Sequence, residues 1–180
     1  MKAVYYVAAS LDGFIASEAG GVEWLDEVSG NHSESSYESF YADVDGLLMG
    51  RGTYDFVYDY GTWPYGDQPC WVVTSKPITA LAGCNLQETR ELTAACLEAQ
   101  SSGIRQLWVV GGGQIAAAML QEGLLTHIQV TLMPIALGGG IRLIDSMPSA
   151  RLLEQEQVVP RNGPCEIIYR IADRPPLARR

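Results

Sequence analysis

Three consecutive glycines follow a β-branched pair in the segment VVGGGQIAAAML, residues 109–120. Glycine lets a phosphate approach the backbone closely, and a helix that begins after such a turn directs its amide dipoles at the anion. The segment therefore predicts an anion site between a strand and a helix, with a tight turn that binds nothing as the alternative. It also fits the loose pattern G-x-G-x-x-A, but no acidic residue stands about 20 positions on to bind a ribose hydroxyl, which disfavours a Rossmann domain.

Two further segments place phosphate-binding chemistry after a predicted strand. In MGRGTYD, Gly50 frees the backbone, Arg51 offers a planar cation, and Thr53 stands in the first turn of the next helix. A cation at a helix N-terminus opposes the helix dipole, so the position of Arg51 favours a bound anion over an ordinary exposed arginine. In VVTSKP, Ser75 and Lys76 add a hydroxyl and a second cation, or form only a polar turn. Because ligands collect at the carboxyl ends of strands in α/β sheets, the three ends together predict one shared site.

The elements that must position these residues alternate between strands and helices through the first two thirds of the chain. β-Branched and apolar runs predict strands, and apolar residues at helical spacing predict helices. Such alternation implies parallel crossovers and a sheet covered on both faces, while the last two strands form an antiparallel hairpin with Cys165, Ile167, Tyr169 and Ile171 facing inward. The predicted strands are residues 3–9, 45–50, 69–77, 106–113, 151–160 and 164–172, with a further strand in the segment 126–140 that Pro134 and Gly138 end. The predicted helices are residues 33–42, 51–60, 89–103 and 114–123.

Composition limits the class of protein. With 180 residues, of which 47% are hydrophobic, the chain predicts one domain over residues 1–172 and a disordered basic tail over residues 173–180. The net charge of −9 disfavours nucleic acids and anionic membranes as partners. The N-terminal apolar run is short and follows a single lysine, which favours a first strand over a signal peptide, and no segment approaches the ~20 apolar residues of a membrane span. Four scattered cysteines predict buried thiols in a reducing cytoplasm, and His32 and His127 lack ligand spacing, so we expect no metal.

Five segments, taken in order, resemble the dihydrofolate reductase superfamily: YYVAASLDGFIA, LLMGRGTYD, VVTSKP, LWVVGGGQIAAAML and MPIALGGGIRLI. The resemblance spans residues 2–172 and is strongest to the bacterial branch that contains the C-terminal, reductase domain of the riboflavin biosynthesis protein RibD. It implies a three-layer α/β/α fold with a mixed, mostly parallel sheet and a C-terminal antiparallel hairpin. It also implies an NADPH-dependent oxidoreductase that forms a homodimer, to whose interface the segment MPIALGGGIRLI could contribute.

The same resemblance implies phosphate contacts. Gly50, Arg51 and Thr53 match the segment that binds the pyrophosphate and the 2′-phosphate side of NADPH. Ser75 and Lys76 match a strand end near the adenosine 2′-phosphate. These assignments make both cations part of one binding site.

It further implies contacts at the other end of the cofactor. The backbone at Ala8 and Ile15 matches positions that contact the nicotinamide carboxamide. The bond between Gly111 and Gly112 is expected to be cis, as is typical of the superfamily. The turn over the pyrophosphate is matched by Gly111, Gly112, Gly113, Gln114 and Ile115.

Many reductions need a proton as well as a hydride, and a carboxylate commonly supplies it. Dihydrofolate reductases carry an acidic residue on the helix before the GR strand, where an ungapped count reaches Glu34, although an ordinary surface glutamate is the alternative. Asp12 is the second candidate, while an aspartate before glycine is also common turn chemistry. Trp24 is expected either to wall the substrate side or to pack in the core.

We therefore expect an NADPH-dependent reductase of a small pterin-like, pyrimidine or carbonyl substrate. No pterin-binding set can be identified. The H-x-E and P-C-x-x-C zinc signature of the deaminase half of riboflavin enzymes is missing, since PCEII lacks the second cysteine, so a stand-alone reductase-like domain is expected. The alternative is a non-catalytic NADP(H)-binding module that acts as a sensor or scaffold, which the lack of a clear proton donor favours.

Overall fold

The computed structural model describes residues 1–29 and 36–173. The strands in this part of the chain are β1 (Lys2–Ser10), β2 (Phe14–Ala16), β3 (Gly46–Gly50), β4 (Pro69–Val73), β5 (Asn85–Thr89), β6 (Gln106–Gly111), β7 (His127–Met133), β8 (Ile141–Arg142), β9 (Leu153–Pro160) and β10 (Cys165–Ile171). The helices are α1 (Trp24–Ser29), α2 (Tyr37–Tyr41), α3 (Arg51–Asp59), α4 (Leu92–Ser101) and α5 (Gly113–Glu122).

Eight strands form one sheet in the order β5-β4-β3-β6-β1-β7-β10-β9, and β2 pairs with β8 outside it. The neighbours from β5 through β7 run parallel, whereas β10 is antiparallel to both β7 and β9. This confirms the mixed, mostly parallel sheet with a C-terminal hairpin. Because β1, β3, β4, β6 and β7 share one direction, their carboxyl ends meet at a single edge of the sheet.

Helices cover both faces of the sheet. Consecutive residues of β1 point to opposite faces, as strand geometry requires. Tyr5 lies in a core cluster with Ala95 of α4 and Leu120 of α5, and Val4 lies in a second cluster with Tyr54 of α3 and side chains of α2. The predicted three-layer α/β/α arrangement is confirmed.

Most predicted elements are found, with differences at the short ones. The helix predicted at residues 33–42 is α2, which is seen only at Tyr37–Tyr41; residues 30–35 lie outside the described part, as do residues 174–180 of the predicted tail. The elements α1, β2, β5 and β8 were not predicted. Three of these elements, α1, β2 and β8, are too short to show a hydrophobic period. The fourth, β5, is a half-exposed edge strand and lacks the apolar run that marks a buried strand.

No helix among the described residues is long and apolar enough to cross a membrane. The four cysteines are free thiols. Cys70 and Cys96 are buried as predicted, and burial raises the pKa of the Cys96 thiol to about 11, whereas Cys84 and Cys165 are only half-buried.

Candidate functional site

A cavity of about 790 Å³ opens at the carboxyl edge of the sheet, where β3, β4 and β6 end. The segments that follow these strands form one wall, and a loop arm at residues 140–145 forms another. The cavity thus joins the three strand ends that the sequence singled out. The predicted cofactor residues in its lining are Gly50, Arg51, Thr53, Ser75, Lys76, Gly112, Gly113, Gln114 and Ile115.

Three predicted cofactor residues lie outside the lining. Gly111 is the last residue of β6 and is joined to Gly112 by a cis peptide bond, as the resemblance implied. Ala8 lies in β1, paired with Thr131 of the neighbouring strand. Ile15 lies in β2 and packs partly buried against the core cluster that contains Tyr5.

Glycine is required at two positions of the turn between β6 and α5. Gly111 has a φ of +147°, a backbone conformation that favours glycine. A Cβ on Gly113 would stand 2.1 Å from the carbonyl oxygen of Arg142, so α5 and the loop arm are in direct backbone contact there. The amide N–H of Asp145 also donates to the carbonyl of Gly113 at 3.2 Å. The start of α5 is therefore fixed against the arm and exposes its backbone to the cavity.

Positive charge converges on the cavity although the chain carries a net charge of −9. Arg51, Lys76 and Arg142 all line it, together with the N-termini of α3 and α5. The Arg51 guanidinium donates to Asp55 at 2.6 Å and to the carbonyl oxygen of Pro77 at 3.2 Å, which ties α3 to the turn after β4. Cations and helix N-termini both attract anions, so this wall suits phosphate groups.

The turn after β4 is shaped by Thr74, a residue that the sequence did not single out. Its hydroxyl donates to the carbonyl of Lys76 at 2.9 Å and accepts from the amide of Lys76 at 3.1 Å. The strand predicted at residues 69–77 accordingly ends at Val73. The short hydrogen-bonded turn that follows places Ser75 and Lys76 in the cavity lining.

Arg142 is a cavity residue that sequence reasoning missed. Its segment, MPIALGGGIRLI, was considered only for a dimer interface, which stays a prediction, and Gly140, Ile141 and Arg142 of this segment line the cavity. The Arg142 side chain is exposed and has no hydrogen-bond or ion-pair partner within residues 1–29 and 36–173. The sequence signal for this part of the cavity was a second run of three glycines, residues 138–140. The structure explains one of them, because a Cβ on Gly140 would meet the carbonyl oxygen of Ala16 at 2.1 Å.

Asp12 makes contacts that argue against a role as proton donor. Its carboxylate accepts hydrogen bonds from the Ser10 hydroxyl at 2.6 Å and from the amides of Leu137 and Gly138 at 3.0 Å and 2.7 Å. These bonds, led by that from Ser10, lower the pKa of Asp12 to about 2. A carboxyl group that is ionised at neutral pH and bonded to a loop backbone serves as a loop anchor.

Of the two other candidates for chemistry, Trp24 does not line the cavity. Glu34 falls outside the described residues. Trp24 begins α1 and is 7% exposed, and its indole N–H has no partner in the described part of the chain. Burial of this kind matches the core-packing alternative for Trp24.

Comparisons with known proteins support the resemblance to the RibD C-terminal domain. The family model for the RibD C-terminal domain matches residues 2–162. An uncharacterised protein of Bacillus subtilis, YwjB, is 33% identical over 154 residues, which cover 81% of this chain and 84% of that protein. The riboflavin biosynthesis protein RibD of Corynebacterium ammoniagenes is 26% identical over 151 residues, or 76% of this chain and 44% of that protein.

A solved structure agrees with the fold over nearly the whole chain. It is that of a candidate riboflavin biosynthesis protein from Shewanella sp. PV-4, which is 27% identical in sequence. The match has a TM-score of 0.84 and covers 96% of this chain and 99% of the Shewanella chain.

Proposed function

This chain belongs to the RibD C-terminal domain family, and we propose that it is an NADPH-dependent reductase of a small nitrogen heterocycle of the pyrimidine class. The observation that carries the proposal is the cavity at the ends of β3, β4 and β6. There the backbone of two glycine-containing turns, two helix N-termini and three cationic side chains converge. Small-molecule sites in proteins commonly have volumes of about 300–1,000 Å³, and this cavity lies within that range.

The residues present fit a dinucleotide with several phosphate groups. Gly113 lines the cavity at the start of a ten-residue helix, where the free backbone N–H groups of the first turn attract an anion. Arg51 and Lys76, at the ends of neighbouring strands, would hold the 2′-phosphate, and Arg142 would face the pyrophosphate across the turn. Such a division of charges favours NADPH over NADH.

When bound, NADPH supplies the hydride. The protein's own task is to hold the phosphates and to position the acceptor. Ala8 supports this assignment because β1 lies between β6, which ends in the glycine turn, and β7. Ala8 is half-exposed, which leaves room for a flat ring against the sheet at the place where the nicotinamide and the acceptor would meet.

The proposal is tested by nucleotide titration and turnover. Quenching of the protein's tryptophan fluorescence should show binding of NADPH that is tighter than binding of NADH. NADPH oxidation, followed at 340 nm, should then occur with a phosphoribosylaminopyrimidine and be slower with pterins and simple carbonyl compounds. Failure of the protein to bind any nicotinamide nucleotide would overturn the proposal.

A non-catalytic NADP(H)-binding module is the second candidate. It is favoured by the ionised, loop-bound state of Asp12, because this removes one of the two predicted proton donors. Tight NADPH binding without oxidation by any of the three substrate classes would support this candidate over the reductase.

A further inference from the structure

Two contacts fix the guanidinium group of Arg51, the first residue of α3. Its Nε donates to the Oδ1 atom of Asp55 at 2.6 Å, and Asp55 lies four residues later on the same helix. Its Nη1 donates to the carbonyl oxygen of Pro77 at 3.2 Å, in the turn after β4. The plane of the guanidinium is therefore held by a helix and by a separate loop.

These contacts leave part of the guanidinium open to a ligand. Arginine has five N–H donors, of which the two bonds use two. The Nη2 atom has no hydrogen-bond or ion-pair partner within residues 1–29 and 36–173. Arg51 lines the cavity, whereas Asp55 is not part of the lining. The carboxylate thus holds the cation from outside the cavity and does not occupy the place of an anion.

The stability of α3 does not explain this pair. A cation at a helix N-terminus opposes the helix dipole, and an anion that follows a cation by four residues is the less favourable order for a helical ion pair. Both side chains are also largely open to solvent, with 39% of Arg51 and 49% of Asp55 exposed, and such pairs contribute little to folding. A role in orienting Arg51 accounts for the arrangement.

The contact with Pro77 links Arg51 to the second cation of this wall. Lys76 precedes Pro77 in the turn that the Thr74 hydroxyl shapes, and it lines the same cavity. With Arg51 bound to this turn, neither cation has to be brought to the other when an anion arrives. Ordering a long side chain at the moment of binding weakens affinity, so a guanidinium that is already ordered binds more tightly.

We propose that Asp55 is a positioning residue, which holds Arg51 so that its remaining N–H groups meet the 2′-phosphate of NADPH. The inference rests on the proposed function, in which Arg51 and Lys76 bind that phosphate. A planar guanidinium makes two parallel hydrogen bonds to a phosphate only in a fixed orientation. Asp55 does not touch the nucleotide, and its negative charge nevertheless strengthens the binding of an anion.

The sign of the effect of Asp55→Ala tests the proposal. By charge alone, removal of a carboxylate near an anion site strengthens the binding of the anion. Loss of positioning has the opposite effect, and NADPH affinity should fall about threefold to tenfold, the size expected for ordering one long side chain. Asp55→Asn removes the same charge but keeps an oxygen that can accept from Nε, so it should bind NADPH at least as tightly as the wild type. Fluorescence titration with NADPH and NADH measures these affinities, and NADH should be unaffected by either substitution.

Two further variants separate positioning from a general change in α3. Asp59→Ala is the matched control, because Asp59 is exposed on the same helix and has no partner in the described part of the chain. It should not weaken NADPH binding. In an Arg51→Ala background, Asp55→Ala should cause no additional loss, since the guanidinium it orients is gone. A general disruption of α3 would weaken NADH as well, because the start of this helix lines the cavity.

Four results would overturn the inference: tighter or unchanged NADPH binding by Asp55→Ala, an equal loss for NADPH and NADH, a loss that persists in the Arg51→Ala background, or an equal loss in Asp55→Asn and Asp55→Ala. The first of these would make Asp55 a competitor of the phosphate for Arg51. Each can occur while the wild type binds NADPH, in which case the proposed reductase function stands. Failure of the wild type to bind any nicotinamide nucleotide is the separate result that removes that function.

Discussion

The main-chain N–H of Gly138 donates a 2.7 Å hydrogen bond to the carboxylate of Asp12. This bond joins the turn after β1 to the loop after β7, although the two residues are far apart in the chain. The pairing of β2 with β8 and the bond from the amide of Leu143 to the carbonyl of Gly13 tie the same two segments together beyond that point. The turn after β1 and the arm beside the cavity are thus one connected unit.

Replacement of Asp12 with Asn should loosen this unit and lower the melting temperature at pH 7. The folded-state pKa of about 2 lies below the ordinary value of 3.8, so the ionised carboxylate stabilises the fold above about pH 4. That contribution is lost as the pH falls towards 2. The difference in melting temperature between the wild type and Asp12→Asn should therefore shrink from pH 4 to pH 2, as thermal denaturation followed by circular dichroism can show.

Asp59→Asn provides the matched control for this measurement, because Asp59 is exposed at the end of α3 and has no partner in the described part of the chain. Its effect should be small. A difference between the wild type and Asp12→Asn that stays constant from pH 7 to pH 2 would contradict the role of the ionised carboxylate.

The double substitution Arg51→Ala, Lys76→Ala should change nucleotide selectivity. If both cations hold the 2′-phosphate, NADPH affinity should fall on the order of 100-fold, since each hydrogen bond to a charged group contributes about 1.5–3 kcal/mol. NADH, which lacks that phosphate, should lose only a small factor. Fluorescence titration with both nucleotides measures the two losses, and equal weakening would remove these residues from the selectivity role.

Arg142→Ala should weaken both nucleotides alike. Arg142 stands on the arm against the start of α5, at the glycine turn, where the pyrophosphate common to NADPH and NADH is proposed to lie. We expect a loss on the order of tenfold for each. Arg90→Ala removes an exposed cation outside the cavity lining and serves as the control for net charge. A loss confined to NADPH would place Arg142 at the 2′-phosphate instead.

Gly113→Ala should destabilise the fold through a backbone clash. The added Cβ would stand 2.1 Å from the carbonyl oxygen of Arg142, so α5 or the arm must shift. Overpacking of this kind costs about 1–3 kcal/mol in the free energy of unfolding, which urea denaturation measures. Gly52→Ala in α3 is the contrasting variant, because a Cβ there meets nothing within 4 Å and alanine favours a helix. Equal stability of Gly113→Ala and Gly52→Ala would show that the arm can shift away from α5 without a cost in the free energy of unfolding.

The parts of the site that the sequence predicts are those formed by residues adjacent in the chain. A strand, a glycine and a helix start follow one another at Gly50 and again at Gly111 to Gly113, so local patterns were sufficient to bring these segments together at one edge. The hairpin register was also predictable in part, since Ile167, Tyr169 and Ile171 pack against the core as their alternation requires.

Arg142 and the burial of Glu166, a side chain with 3% of its surface exposed, could not be predicted in the same way because their surroundings come from distant segments. Alternation placed Glu166 on the face opposite the apolar residues of β10, where a glutamate is normally solvated. Its burial depends on the pairing of β10 with β7 and on Ser36, which belongs to a segment 130 residues earlier. Arg142 stands in a two-residue strand, which is too short to have a hydrophobic period.

The position of β1 also determines when the chain can fold. Residues 2–5 pair with residues 106–109 of β6, and residues 4–10 pair with residues 127–133 of β7. During synthesis β1 therefore remains without either neighbour until β6 and β7 have been made. Its apolar sequence, AVYYVAA, cannot be buried between its two neighbours before then, and pairing between such distant segments generally slows folding.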